Sequence, residues 1–370
     1  MSKRKLLVMP LVVLGLAGGV GCERKIVNET APNLAASACF TCHTDQDNAL
    51  LAAKQEWENS VHASGNNIDR NRKESSRYQS CEKCHSHEGF VTKVTGVFPG
   101  DTTNRHFTVI GCFTCHAPHT NGNLTLRTES SVTLANGVIF DREAGNLCAN
   151  CHQSRTDIRT LANPTTLTNR FGPHHSNQGD MLMGTGGYEY GGYEYESSAH
   201  KNVATEGCIN CHMAGGFANL VGGHTFNMAN EEREFENLVG CNASQCHNGA
   251  LTSLDPTADE DFNEDGTTEG AQDEVEGLVE ELRDELFTAG LLEWVVEGAD
   301  SSLLPKESKV TSKDSAGAVY NYLFVHEDRS EGIHNTEYAV GLLKSSLHYI
   351  ATGDPNGVAP RDRRDLLAAH

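Results

Sequence analysis

Beyond its first 21 residues the chain has no stretch of 18 consecutive apolar residues, so no later segment is long enough to span a bilayer as a helix. Methionine is scarce, with six in 370 residues and four of them after residue 21. Positive charge is thin as well: 29 Lys and Arg stand against 50 Asp and Glu, which disfavours nucleic acid and anionic membrane surfaces as partners. Hydrophobic residues make up 38% of the chain, little for a protein that must fill its core with its own side chains. Cysteine is plentiful at 13, yet a disulfide framework is excluded, because twelve of the thirteen belong to another pattern.

That pattern is Cys-x-x-Cys-His. It occurs at Cys39, Cys42 and His43, at Cys81, Cys84 and His85, at Cys112, Cys115 and His116, at Cys148, Cys151 and His152, and at Cys208, Cys211 and His212. A longer version, C-N-A-S-Q-C-H, runs from Cys241 through Cys246 to His247. Random placement predicts roughly 0.02 regular matches in such a chain, and each reads as a covalent c-type haem site. On one helical turn, residues i, i+3 and i+4 share a face, so two thiols reach the haem vinyl groups while the imidazole meets the iron from the same side. The longer motif must bulge by two residues, but it keeps the second Cys and the His adjacent. Zinc or disulfide pairs would not explain a His after every second Cys.

The remaining cysteine, Cys22, follows Lys3, Arg4, Lys5 and the apolar run Leu6–Leu16, the layout of an export signal. Preceded by Gly-Val-Gly, Cys22 resembles the lipid-acceptor residue of bacterial lipoproteins, with Gly19 where that motif usually has Leu. Residues 1–21 are therefore expected to be a signal peptide and Cys22 a lipid anchor, giving an exported protein held in the periplasm, at the outer membrane or at the cell surface. Losing the three basic leader residues leaves 26 positive against 50 negative side chains, about −24. Such a surface suits cationic or metal-bearing partners, and equally suits plain solubility.

First cysteines fall at 39, 81, 112, 148, 208 and 241, too close for a separate domain around each haem. Residues 22–250 are expected to form one hexahaem body whose haem faces supply the missing core, and residues 251–370 an acidic loop plus helices packed on it. The fold class expected is mainly α with much irregular structure. Tyr188, Tyr190, Tyr193 and Tyr195, in a Gly-rich stretch, suggest a surface loop, with a tyrosine against a haem face as the alternative. Asp261, Asn263 and Asp265 precede Gly266 at calcium-loop spacing, although Gln272 stands where an EF-hand needs Glu. Calcium and a solvated acidic turn both remain open there. Apolar periodicity predicts helices over 274–297, 315–325 and 335–351.

Six motif histidines leave twelve others, so sixth ligands are expected to be His rather than Met, which implies low potentials. The contexts W-E-N-S-V-H at His62, C-H-A-P-H at His119, G-P-H-H at His174 and His175, S-S-A-H at His200, G-H-T-F at His224 and G-I-H-N at His334 resemble elements of the multihaem cytochrome c superfamily. That superfamily includes pentahaem nitrite reductase, hydroxylamine oxidoreductase, octahaem tetrathionate reductase and electron carriers of metal-respiring bacteria. The resemblance implies distal ligation by His62, His119, His175, His200, His224 and His334. His174 competes with its neighbour, and His106 or His87 could replace a member. His326, His348 and His370 read as ordinary.

Function is expected to be electron transfer through six bis-His haems, towards redox partner proteins or extracellular and metal acceptors. Two alternatives stand beside it: an oxidoreductase reducing nitrite, hydroxylamine or tetrathionate at a five-coordinate haem, and a homo-oligomeric, filament-forming subunit. Against the enzyme, every motif ends in His, so the Lys-terminated motif of nitrite reductase is missing.

Overall fold

A computed structural model describes residues 48–64, 81–100, 106–121, 123–297 and 300–356. From Asn48 onwards the chain forms one compact unit, mainly helical with long irregular connections and short strands. Cys22, Cys39, Cys42, His43 and His370 lie outside the described residues. Among the described residues no helix is long and apolar enough to cross a membrane.

The longer helices of the motif-bearing part are α1 (Asn48–Glu58) and α2 (His87–Thr95). The C-terminal part contains α3 (Ala271–Thr288), α4 (Lys313–Asp328) and α5 (Thr336–Thr352), which pack on one another. Ser312 caps α4 by accepting the Asp314 N–H, and Asn335 caps α5 by accepting that of Tyr338. α4 is apolar nearly all round, as a helix must be when other elements cover it on every side: Ala316 to Val325 are all buried. Gly317 sits inside this helix because the Tyr188 ring lies where a Cβ would project, 2.2 Å away.

The helix predicted over 274–297 stops at Thr288. Gly290, at φ +72°, turns the chain, and Leu292–Glu297 is strand β2, paired antiparallel with β3 (Asp300–Pro305). The aromatic and β-branched run Trp294-Val295-Val296 fits a pleated strand better than another helical turn. A further pairing joins distant parts of the chain: β1 (Thr165–Leu167) lies antiparallel to β4 (Ser308–Val310).

The tyrosine segment is not a surface loop. Tyr188 and Tyr190 are buried in the main core with Val275, Leu282, Tyr320, Phe324, Tyr338 and Leu342. The hydroxyl of Tyr188 donates to Asp314 Oδ1 (2.5 Å), that of Tyr190 to the Asp314 carbonyl (2.7 Å), and that of Tyr195 to Ser345 Oγ (2.9 Å). The Tyr188 and Tyr190 rings are buried and the Tyr195 ring half-buried while each hydroxyl finds a partner, which is what lets tyrosine occupy a core. Asn321, fully buried, clasps the same segment through the Tyr188 N–H and C=O (2.7 and 2.8 Å). A smaller core gathers Val132, Leu134, Phe140, Ala149 and Leu182 beneath the fourth motif.

Two stability predictions follow from this packing. Tyr190→Ala removes a buried ring and a satisfied hydroxyl and is expected to destabilise by about 3–5 kcal/mol in denaturant melts. Trp294→Ala, at a site 60% exposed, should stay within about 0.5 kcal/mol. Burial also pushes the fully enclosed Asp180 carboxyl up to about 6, against the Ser154 N–H that donates to it. The folded chain therefore takes up a proton between the unfolded value near 4 and about pH 6, so stability falls as pH rises through that window. Asp180→Asn should flatten the pH profile and gain about 3 kcal/mol at pH 7 relative to the parent, measured by urea titration at pH 4 and 7.

Candidate haem centres

Each described motif closes into the turn that its spacing demands. The histidine N–H donates to the carbonyl of the first cysteine in His85→Cys81 (3.1 Å), His116→Cys112 (2.9 Å), His152→Cys148 (3.0 Å) and His212→Cys208 (3.0 Å). The longer motif reaches the same closure, His247→Cys241 at 2.9 Å, by looping its two extra residues outward within a tight turn. Both thiols and the imidazole therefore leave one turn in all five described motifs.

Opposite each of these imidazoles stands a second one from a remote part of the chain. Ring centroids are 6.0 Å apart for His85 and His174, 6.3 Å for His116 and His224, 6.2 Å for His152 and His62, 6.1 Å for His212 and His334, and 6.1 Å for His247 and His200. Two imidazoles bound through nitrogen to opposite sides of one metal ion, at about 2.0–2.1 Å per bond, have their ring centres about 6.2–6.4 Å apart. The pairs are spaced for one metal ion each.

In several of these rings the nitrogen facing away is held by a second group. Nδ1 of His200 donates to the Ile333 carbonyl (2.7 Å) and Nδ1 of His212 to that of Phe226 (2.9 Å). A carbonyl can only accept, so each ring carries its proton on Nδ1 and leaves the Nε2 lone pair free for a metal. His152 Nδ1 lies 3.1 Å from Gln178 Oε1, His334 Nδ1 lies 2.9 Å from both oxygens of Asp328, and His224 Nδ1 lies 3.6 Å from Glu56 Oε2. Burial pulls His62 down to about 4 and His174 to about 3, with His152 and Arg155 respectively adding repulsion. His152, His212 and His224 are lowered too, chiefly by burial. At neutral pH these rings are the uncharged imidazoles that bind metals. His334 differs: burial lowers it, but the Asp328 carboxylate outweighs burial and the net shift is upward.

Of the sequence-assigned distal residues, His62, His200, His224 and His334 each face a motif histidine. His175 does not; its neighbour His174 meets His85, while His175 is 64% exposed and bonds Glu327 Oε2 through Nδ1 (2.6 Å). His174 has φ +81°, a backbone conformation uncommon for a residue other than glycine. His119 lies against Phe113 at 5.8 Å, and His43, the motif histidine not yet matched, lies outside the described residues. His87 Nδ1 contacts Thr114 Oγ1 (3.0 Å), His106 is exposed, and His326 stacks on Tyr322. His348 has both ring nitrogens buried without a hydrogen-bond partner.

Neighbouring motifs touch through their thiols. Cys84 lies beside Cys151, whose Sγ meets the Lys83 carbonyl (3.8 Å), Cys148 lies beside Cys208, and Cys211 beside Cys241. The motifs thus form a row in the order 81, 148, 208, 241, which passes over the motif beginning at Cys112, and Cys115 of that motif lies near Cys148 and Cys151. Phe226 knits the row together: its ring packs on His62 (5.1 Å) and His224 (6.1 Å) while its carbonyl holds His212. Exposed apolar side chains, Val61, Phe113, Val203 and Val239, flank the paired or motif residues and offer surface to an apolar macrocycle.

The acidic loop turns its side chains onto its own backbone. Asp261 accepts the Gly266 N–H, Asn263 that of Asp265, and Asp265 that of Thr267. Among the described residues no three His, Cys, Asp or Glu side chains converge as a metal cage, here or elsewhere.

The sequence matches no protein-family model, and no curated protein matches it. Among solved structures, the outer cell wall cytochrome OcwA superposes with a TM-score of 0.49 at 18% identity, over 80% of this chain and 49% of that one. The chain therefore spans about half the length of OcwA, and a likeness this distant decides nothing about activity.

Proposed function

We propose that the chain is an exported hexahaem c-type cytochrome that carries electrons. The observation that carries this reading is the set of five imidazole pairs, each joining a Cys-x-x-Cys-His or longer motif to a remote histidine at metal-bridging distance. Covalently bound haems would supply one-electron carriers that need no substrate site.

The cysteines of each motif would form the thioethers, with His85, His116, His152, His212 and His247 as proximal ligands and His174, His224, His62, His334 and His200 in turn as distal ligands. Cys39, Cys42 and His43 would hold the sixth group, with His119, whose C-H-A-P-H context resembles that of a distal ligand, as its partner. The thiol contacts support a closely spaced row of attachment sites, the arrangement an electron carrier needs. A reductase would require a motif histidine facing an open position, and each of the five described ones faces a second imidazole. The export signal and the Cys22 lipid anchor fit a carrier that delivers electrons to redox proteins or to acceptors outside the cell, and the excess negative charge suits cationic or metal-bearing ones.

The purified protein should contain six haems per chain by pyridine haemochrome assay and give low-spin ferric signals in electron paramagnetic resonance. His174→Ala should convert one haem of the six to high spin, whereas His175→Ala should leave all six low-spin. A high-spin signal in the parent protein, accompanied by nitrite or hydroxylamine turnover, would defeat the carrier reading.

A further inference from the structure

The histidine pairs differ in what supports their outer nitrogens, and one support stands apart. Among the described residues, His334 alone of the paired histidines bonds a fully buried carboxylate at hydrogen-bond distance: both oxygens of Asp328 lie 2.9 Å from its Nδ1, and the Asp328 side chain is 0% exposed. His200 and His212 have neutral carbonyls, and His152 a neutral amide. Glu56 stands farther from His224, at 3.6 Å, where the imidazole is 34% exposed. His116 and His174 have buried Nδ1 atoms with no hydrogen-bond partner.

Asp328 is fixed in this role. It is the last residue of α4; Ser330 Oγ donates to its Oδ2, and the same Oγ accepts the His334 N–H at 3.1 Å, closing a ring of three residues. Gln178, which supports His152, also donates to the Asp328 carbonyl (3.2 Å). Among the described residues the only ion-pair partner of Asp328 is His334, so its charge is not neutralised by Lys or Arg.

A carboxylate accepting from the outer N–H of a metal-bound imidazole makes that imidazole more basic, and the effect is strongest in a buried site. A more basic axial ligand favours ferric over ferrous iron and lowers the potential. We infer that Asp328 is a positioning residue that sets the haem between His212 and His334 at the lowest potential of the described centres. The inference deepens the bis-His reading of this site and rests on it. The opposite ligand, His212, is also bonded to an acceptor, which acts in the same direction. The motif of His212 stands inside the thiol row, between those beginning at Cys148 and Cys241, so the low point lies within the row and not at an end.

Spectroelectrochemical titration of the full holoprotein tests this. Asp328→Asn, which keeps the shape and removes the charge, should raise the lowest midpoint and leave the others in place, with all haems still low-spin; Asp328→Glu should restore it in part. Ser330→Ala removes a donor that competes for Asp328 and should move the same midpoint further down, an independent reading if Asp328→Asn fails to fold. Unchanged midpoints in Asp328→Asn and Ser330→Ala, or equal shifts of all of them, overturn the assignment. His334→Ala separates the two layers of the argument. If it creates one high-spin haem while the Asp328 and Ser330 variants shift nothing, only the tuning role fails; if all haems stay low-spin, the ligation itself is wrong.

Discussion

Two imidazoles on opposite sides of one metal ion must stand about 6 Å apart and face each other, and five times this chain brings together residues 47 to 122 positions apart to achieve that spacing. The motif-bearing part has little apolar core of its own to enforce such an arrangement. Most of the buried apolar side chains belong to α3, α4, α5 and the tyrosine segment. The C-terminal helices therefore act as a frame. Polar groups fasten the paired histidines and their supports to that frame: Asn177 to the Phe324 carbonyl, Gln178 to Glu327 and Asp328, Ser198 to Asn335, and His200 to Ile333. Such bonds fix direction more than they add stability, because each replaces a bond to water.

Local features were legible in the sequence and non-local ones were not. The Cys-x-x-Cys-His turns follow from a four-residue pattern, and even the longer motif closes as its adjacent Cys246 and His247 required. Four of the distal contexts pointed to histidines that do face a motif. At the neighbouring histidines 174 and 175, which the sequence left in competition, it is His174 that faces a motif histidine, His85. Which histidine meets which motif depends on tertiary packing, about which spacing says nothing.

The C-terminal errors have the same origin. Periodicity extended α3 through Val295 because Leu291 and Val295 continued the pattern, yet Gly290 and the strand-forming Trp294-Val295-Val296 end it. Tyrosine among glycines looked like a loop because the partners of its hydroxyls, Asp314 and Ser345, lie more than a hundred residues away. A side chain with an apolar body and a polar tip can be assigned to core or surface only when its distant partner is known.

Phe226 gives the row of centres a shared mechanical joint. Its left-handed backbone, at φ +59°, lets one residue present a ring to His62 and His224 and a carbonyl to His212, and these three histidines belong to three different pairs. Displacing it would tilt three paired imidazoles together. A change at position 226 would therefore disturb three of the five described histidine pairs at once, and would have to be matched by compensating change in all three.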